Sequence, residues 1–181
     1  MSRFDPEFWV PVALACVAAP VQATQYLSVE QAQRALFPGA DAFAATPVRV
    51  TPDLRARLWK ESLGPIRGEQ VHAWAASRGG ILLGHVMVDD VIGKHELITY
   101  ALGVGVDGVV RNVEIMDYRE TRGGEVRDPR WRAQFKGKRR ESSLRLEEDI
   151  QNISGATLSC RHVTEGVRRL LALHAIALRK Q

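Results

Sequence analysis

The 181-residue chain reads as one α+β domain, an antiparallel sheet packed by helices. Three observations carry that reading. Strand-like runs gather between residues 69 and 118 and are divided by Arg78-Gly79-Gly80 and Asp107-Gly108, both turn signals, the second a strong hairpin signal. Helical patterns stand before and after that block. Length and composition suit one domain with a proper core, with 45% hydrophobic and 25% charged residues. There is no internal repeat and no low-complexity tract.

The elements follow in order. Phe8–Val21 is an apolar run, and Val21-Gln22-Ala23 has the small-x-small pattern of an export cleavage site. The run is too short to span a membrane and holds two prolines. Residues 1–23 are therefore expected to be a signal peptide. Its start is atypical, since Asp5 and Glu7 offset Arg3. Cys16 after Leu14-Ala15 resembles a lipobox only faintly and is discounted. Cleavage leaves Cys160 as the one cysteine of the mature chain, so no internal disulfide is expected. Cys160 is read as a small buried hydrophobe.

Ser28-Val29-Glu30-Gln31 is a capping box that starts a helix running to Leu36, stopped by Pro38-Gly39. Residues 40–50 read as a loop with a short strand at Val48–Val50. Thr51-Pro52 opens a second helix, with Leu54, Leu58 and Trp59 as its buried stripe. Val71–Ser77, Ile81–Val88, Glu96–Val106 and Val109–Tyr118 read as an antiparallel meander with one buried face, Val109, Val113 and Ile115 pointing inward. Arg119–Glu125 is a loop whose glycines let a ligand approach the backbone. Asp128-Pro129 caps a short helix carrying Trp131 and Phe135, and residues 136–148 read as a charged, mobile connection. The last helix is expected from Thr157 to Leu178, with Val163, Val167, Leu170, Leu171 and His174 packing on the sheet.

Ser154-Gly155-Ala156-Thr157 directly precedes that helix. The first N–H groups of a helix lack intrahelical partners, and the positive end of the helix dipole points outward there. This is a seat for a phosphate. Gly155 and Ala156 leave room for it, and Thr157 offers an oxygen for a phosphoester. The bland alternative is that Ser154 or Thr157 simply caps the helix.

At this point the chain resembles a known family. Asp149-Ile-Gln-Asn-Ile-Ser-Gly-Ala-Thr157-Leu-Ser-Cys is similar to the flavinylation motif of FMN-binding domains, found in the small FMN subunits of the Rnf complex and the sodium-pumping NADH:quinone oxidoreductase. Tyr26–Gly39 resembles the opening of stand-alone members. Gly93-Lys94 and the run to Gly105, the strand from Asp107 to Glu120-Thr121, and Phe135-Lys-Gly-Lys138 resemble its middle. The likeness covers about residues 26–178, so the chain divides into a signal at 1–23 and an FMN-binding domain at 24–181. Two positions depart from the pattern. Gln151 stands where the family usually has Asp, and Arg122-Gly123-Gly124 follows Thr121 where the pump subunits have Pro-Gly.

The resemblance implies a fold with FMN at the N-terminus of the last helix. It implies covalent FMN, its phosphate esterified to Thr157 by a separate flavin transferase. Ser154, Gly155, Ala156 and Leu158 are expected around the phosphate, and Glu120 and Thr121 near the ring. Tyr118 and Trp131 are weighed as stacking residues against a core role. The expected function is an exported, periplasmic electron carrier between a membrane donor and a soluble acceptor, peripheral to the membrane at most. The alternatives are a small flavin-dependent reductase, or a module that binds FMN without a covalent bond. Whether the chain is itself an enzyme stays open, and no catalytic residue is assigned.

Other classes find little support. There is no Gly-x-Ser-x-Gly elbow, and Gly103-Val104-Gly105 lies inside a strand rather than opening a helix. His72, His85, His95, His162 and His174 lack ligand spacing, so no metal is expected. The net charge of +4 is no nucleic-acid footprint. The basic run Lys136–Arg140 reads as a solvated loop, with a docking patch as its functional alternative.

Overall fold

The computed structural model describes residues 24–61 and 63–179. The expected signal, with Arg3, Asp5, Glu7, Cys16 and Val21-Gln22-Ala23, lies outside the described residues.

Seven strands are described: β1 (Thr24–Gln25), β2 (Ala42–Ala45), β3 (Val48–Arg49), β4 (Gln70–Arg78), β5 (Ile81–Ile92), β6 (Leu97–Gly105) and β7 (Val110–Tyr118). Six run in the order β1-β7-β6-β5-β4-β2, and β3 pairs with β4. Every strand pairing is antiparallel, as the two hairpin turns require. β2 falls in the segment expected to be loop. Its Ala-Phe-Ala-Ala sequence has no β-branched residue, and it is held by pairing with β4 rather than by propensity.

The sheet is covered on both faces, which corrects the half-buried expectation. On one face lies α1 (Val29–Leu36). Ser28 Oγ accepts from the Gln31 N–H while the Gln31 side chain accepts from the Ser28 N–H. Ala32, Leu36 and Phe37 pack on Ala76, Val86, Ala101 and Met116. The missing side chain at Gly103 admits the helix, since a Cβ there would stand 3.1 Å from Leu36 Cβ. On the other face lies α4 (Thr157–Leu173), continued by a π turn at His174–Leu178, with α2 (Pro52–Lys60) beside it. The main core forms here, around Tyr100, Leu102, Val113, Val163, Val167 and Leu170.

Local rules misplace three residues. Trp59 is 69% exposed while Leu54 and Leu58 are buried, because it directly follows Leu58 and lies about 100° round the helix from that stripe. Val109 precedes β7. An irregularity pairs Gly103 with Asn112 but Val104 with Val110. The extra residue switches the inward set, so Val110 and Val113 are both buried. Glu114 is buried because this face too is covered, and its carboxylate pairs with Arg132.

α3 (Pro129–Arg132) is capped by Asp128, whose Oδ1 accepts from the Arg130 N–H at 2.8 Å. The 136–148 connection is anchored rather than loose. Lys138 pairs with Asp149 at 2.9 Å, Arg140 pairs with Glu61, and Leu144 is only 1% exposed. Two of the cations of the basic run are thus neutralised within the chain.

Candidate functional site

Thr157 is the first residue of α4, and Ala156 is the flanking position. No side chain caps the helix, and its first turn carries no acidic residue. Ser154 therefore does not act as a cap, and the positive helix end has no counter-charge of its own. The Cys160 N–H already reaches the Ala156 carbonyl, so the three N–H groups before it are the ones such an end leaves over. Gly155 has φ +84° and nothing within 4 Å of where a Cβ would lie. Ala156 is 3% exposed, and Ser154, Gly155 and Leu158 are exposed.

The Thr157 hydroxyl is held. Asn152 Nδ2 donates to Thr157 Oγ1 at 3.1 Å, while Asn152 Oδ1 is buried without a partner. An orphaned acceptor of this kind is uncommon and marks a place where a further donor fits.

The preceding turn is set by its backbone. Trp131 Nε1 donates to the Gln151 carbonyl at 2.8 Å, and the Gln151 N–H donates to Gln134 Oε1 at 2.7 Å. Gln151 is thus fixed through its main chain, and its side chain is left exposed. Trp131 is buried, edge-on to Phe135; its role is core and turn anchor, not an exposed stacking platform.

Facing the motif is the segment after β7. Gly123 has φ +85°, and a Cβ there would lie 2.7 Å from Tyr118 Oη and 3.3 Å from Ala156 Cβ. Only glycine lets this loop close onto the helix start. Tyr118 is buried beneath it, donating to the Arg122 carbonyl and lying 3.2 Å from Ser159 Oγ. Burial pushes the Tyr118 phenol up, with Ser159 opposing. Gly123→Ala would need both a left-handed alanine and a displaced Tyr118. We expect it to cost about 2–3 kcal/mol, read as a lower urea midpoint with unchanged slope.

Between loop and motif lies a cleft of about 840 Å³ lined by Thr121, Arg122, Gly123, Gly124, Ser154 and Gly155, among others. That is within the range of cofactor sites. Thr121, Ser154 and Gly155 are thereby brought together. Glu120 is turned elsewhere. Its Oε1 accepts from the His95 N–H at 2.5 Å and the Glu96 N–H at 3.0 Å, locking the β5–β6 turn. Burial works to raise its carboxyl, but the N–H groups of Glu96, His95 and Lys94 outweigh it and hold it below the usual carboxylate range. Thr157 lines a second cleft, of about 400 Å³, with Asn152, Arg161 and Arg168. Sequence reasoning missed Asn152 and both arginines; an asparagine five residues before a threonine carries no general signal.

Cys160 is buried, and burial pushes its thiol up. His162 Nδ1 lies 3.1 Å from the Gly93 carbonyl. Among the described residues no group of three His, Cys, Asp or Glu is placed to hold a metal ion. No helix there is long and apolar enough to cross a membrane.

An uncapped helix start facing a glycine loop across a cofactor-sized cleft, on an antiparallel sheet, defines an α+β cofactor-binding domain. Residues 93–172 match the model of the FMN-binding domain. The structure is similar to the crystal structure of Shewanella oneidensis NqrC, with a TM-score of 0.55 and 16% identity over 76% of this chain and 81% of that one. At that identity the likeness is one of fold. No curated protein sequence matches the chain.

The residues present fit a phosphorylated flavin: free helix N–H groups, an unobstructed Gly155 and a held hydroxyl.

Proposed function

We infer that this chain is an exported electron carrier with FMN joined through its phosphate to Thr157. The observation that carries the reading is Thr157 itself: a hydroxyl fixed by Asn152 at the uncapped start of α4, within the stretch that matches the FMN-binding domain. Bound FMN would supply one- and two-electron transfer. The chain's part is to hold and orient it. Gly155 and the first N–H groups of α4 receive the phosphate, and Thr121, Gly123 and Gly124 wall the cleft beside Ser154.

The attachment has to balance. The Thr157 Oγ–phosphorus bond forms, and a phosphoanhydride P–O bond of a flavin dinucleotide breaks. A nucleoside monophosphate leaves, and the hydroxyl proton passes to solvent. FMN alone has no such leaving group, so an activated dinucleotide and a flavin transferase are part of the reading. Export rests on the residue 1–23 pattern. A covalent tether suits a compartment where lost FMN is not replaced. A membrane donor and a soluble acceptor are the partners this role needs.

Non-covalent binding is the second reading, favoured by Gln151 in place of the family's usual Asp. The test is intact mass and in-gel flavin fluorescence of the chain produced with a flavin transferase. We expect a fluorescent denatured band, heavier by one FMN less a water, and its loss in Thr157→Ala. An unmodified wild-type chain that still binds FMN establishes the second reading, and Gln151→Asp is then expected to restore attachment.

A further inference from the structure

Trp59 is the largest exposed apolar side chain among the described residues, and it stands at the C-terminal end of α2. Beside it lies a cleft of about 430 Å³ whose apolar walls include Ala56, Leu58, Trp59, Pro65 and Ile66. A lone exposed apolar side chain is ordinary, but one set beside an apolar cleft makes a contiguous patch, and such patches mark interaction sites.

The cleft is preformed. Arg55 Nη1 donates to the Ile66 carbonyl at 3.0 Å and Nη2 to the Gly68 carbonyl at 2.6 Å, tying the segment after α2 back to the helix. Arg169 Nη1 holds the Leu63 carbonyl at 3.4 Å from the α4 side. The segment is thus pinned at both ends and leaves Trp59 uncovered.

The free charge beside Trp59 is positive. α2 carries Arg55, Arg57 and Lys60 against Asp53 alone. Asp53 lies in the first turn, about 9 Å along the axis from Trp59, where it meets the helix dipole. Glu61, the acid that follows Lys60, is taken by Arg140. Arg57 and Lys60 are exposed, and none of the described ion pairs includes either. An aromatic ring beside unpaired cations suits a lipid–water boundary. The ring rests between headgroups and acyl chains, and the cations meet anionic headgroups. A protein partner needs complementary charges fixed in register. No described partner fixes Arg57 or Lys60, and a fluid headgroup layer asks for no register.

We propose that the Trp59 face docks on an anionic phospholipid bilayer, with Trp59 entering the headgroup–acyl boundary and Arg57 and Lys60 meeting the lipid phosphates. Pro65 also lines the next cleft, with Glu165 of α4, and Glu165 lines the cleft of Thr157. The docked face and the Thr157 cleft are therefore neighbours. Docking here gives the membrane donor of the reading above a place to meet the chain, and it rests on that reading for its purpose alone.

The test is co-sedimentation of the chain, purified after export, with phosphatidylcholine vesicles and with vesicles that also hold phosphatidylglycerol. Wild type is expected to bind the anionic vesicles about twentyfold tighter, roughly fivefold for each of two cations at the surface, and to leave them at high salt. Arg57→Gln/Lys60→Gln is expected to lose most of that preference, and Arg57→Lys to keep it. Trp59→Ser is expected to weaken binding to the anionic vesicles about tenfold. Trp59 emission is expected to shift blue on anionic vesicles and to be quenched by brominated acyl chains, a signal that adsorption by charge alone does not give. Trp59→Phe should remove the signal, since Trp131 is buried and Trp74 is partly buried. Ile81 is 72% exposed at the start of β5, and Ile81→Ser is expected to bind as wild type does. Urea midpoints verify that these exposed substitutions leave the fold intact.

Equal binding to both kinds of vesicle, binding to neither, an unquenched Trp59, or an equal loss in Ile81→Ser overturns the docking face. Polyglutamate that shifts Trp59 emission where vesicles do not also overturns it and assigns the face to an acidic protein. A chain that binds anionic vesicles through Trp59 but never gains FMN sinks the covalent flavin reading and leaves the docking face standing.

Discussion

Replacing Asp89 by Ala is expected to destabilise the fold by about 3–5 kcal/mol, because it leaves a buried guanidinium without its counter-charge. Arg169 on α4 and Asp89 on β5 are each 7% exposed. Arg169 Nη2 donates to Asp89 Oδ2 at 2.8 Å, and the Tyr100 hydroxyl donates to the same oxygen at 3.1 Å. Arg169 Nη1 reaches the Leu63 carbonyl at 3.4 Å, while its Nε is buried without a partner. Even the native guanidinium is incompletely satisfied, so little is left to hold it once Asp89 is gone. Burial pushes the Tyr100 phenol well up, with Asp89 adding to the rise and Arg169 opposing; the phenol stays neutral and cannot replace the carboxylate. For a chain of this size the loss corresponds to a Tm fall of about 10 °C. Arg169→Met with Asp89→Leu removes both charges together and is expected to recover most of it. Equal melting temperatures for wild type and Asp89→Ala would show that solvent reaches Arg169. The consequence for the site is direct, since the same helix that Asp89 tethers carries Thr157 at its start.

Mild acid is the second large effect. His174 Nε2 lies 3.2 Å from His85 Nδ1, and His174 is 1% exposed. Burial, then the neighbouring His85 and Arg179, lower His174 from 6.5 to about 4 against a smaller opposing pull from Asp107. Burial also lowers His85. A histidine whose folded value lies below its unfolded one takes up its proton more readily in the unfolded chain. Its stabilising contribution is full above pH 6.5 and is lost as pH falls from 6.5 towards 4. Between pH 6.5 and 5 the fold is expected to lose about 2 kcal/mol through His174. Asp107, Glu120 and Asp149 are all held below their ordinary values of 3.8, 4.5 and 3.8. They act at lower pH, so the upper window isolates the histidines. Urea midpoints across pH 5–7 read the slope, and His174→Leu is expected to flatten it. A slope unchanged in that variant would place the acid sensitivity elsewhere.

The Ser28 capping box, the Thr51-Pro52 start, the glycine turns at Gly79-Gly80 and Gly108 and the stripe on α4 are all legible in the sequence, and each stands in the fold. They share a cause. Caps, turns and helical stripes are settled by residues within about four positions of one another. The helix start at Thr157 is legible for the same reason. Trp59 is misread because the residue directly after Leu58 lies about 100° round the helix, off the Leu54–Leu58 stripe.

The chain by itself determined a single α+β domain, its hairpin turns, and the threonine that opens its last helix. The tertiary structure alone decided that α1 covers the second face, that Asp89 meets Arg169 and His85 meets His174, and that Thr157 opens into the arginine cleft rather than the glycine one. The Asp89–Arg169 and His85–His174 contacts join residues 80 and 89 positions apart. No local preference encodes such pairings. They exist because packing α4 across β5 and β6 buries polar groups together, and burial makes an unmatched charge too costly to keep.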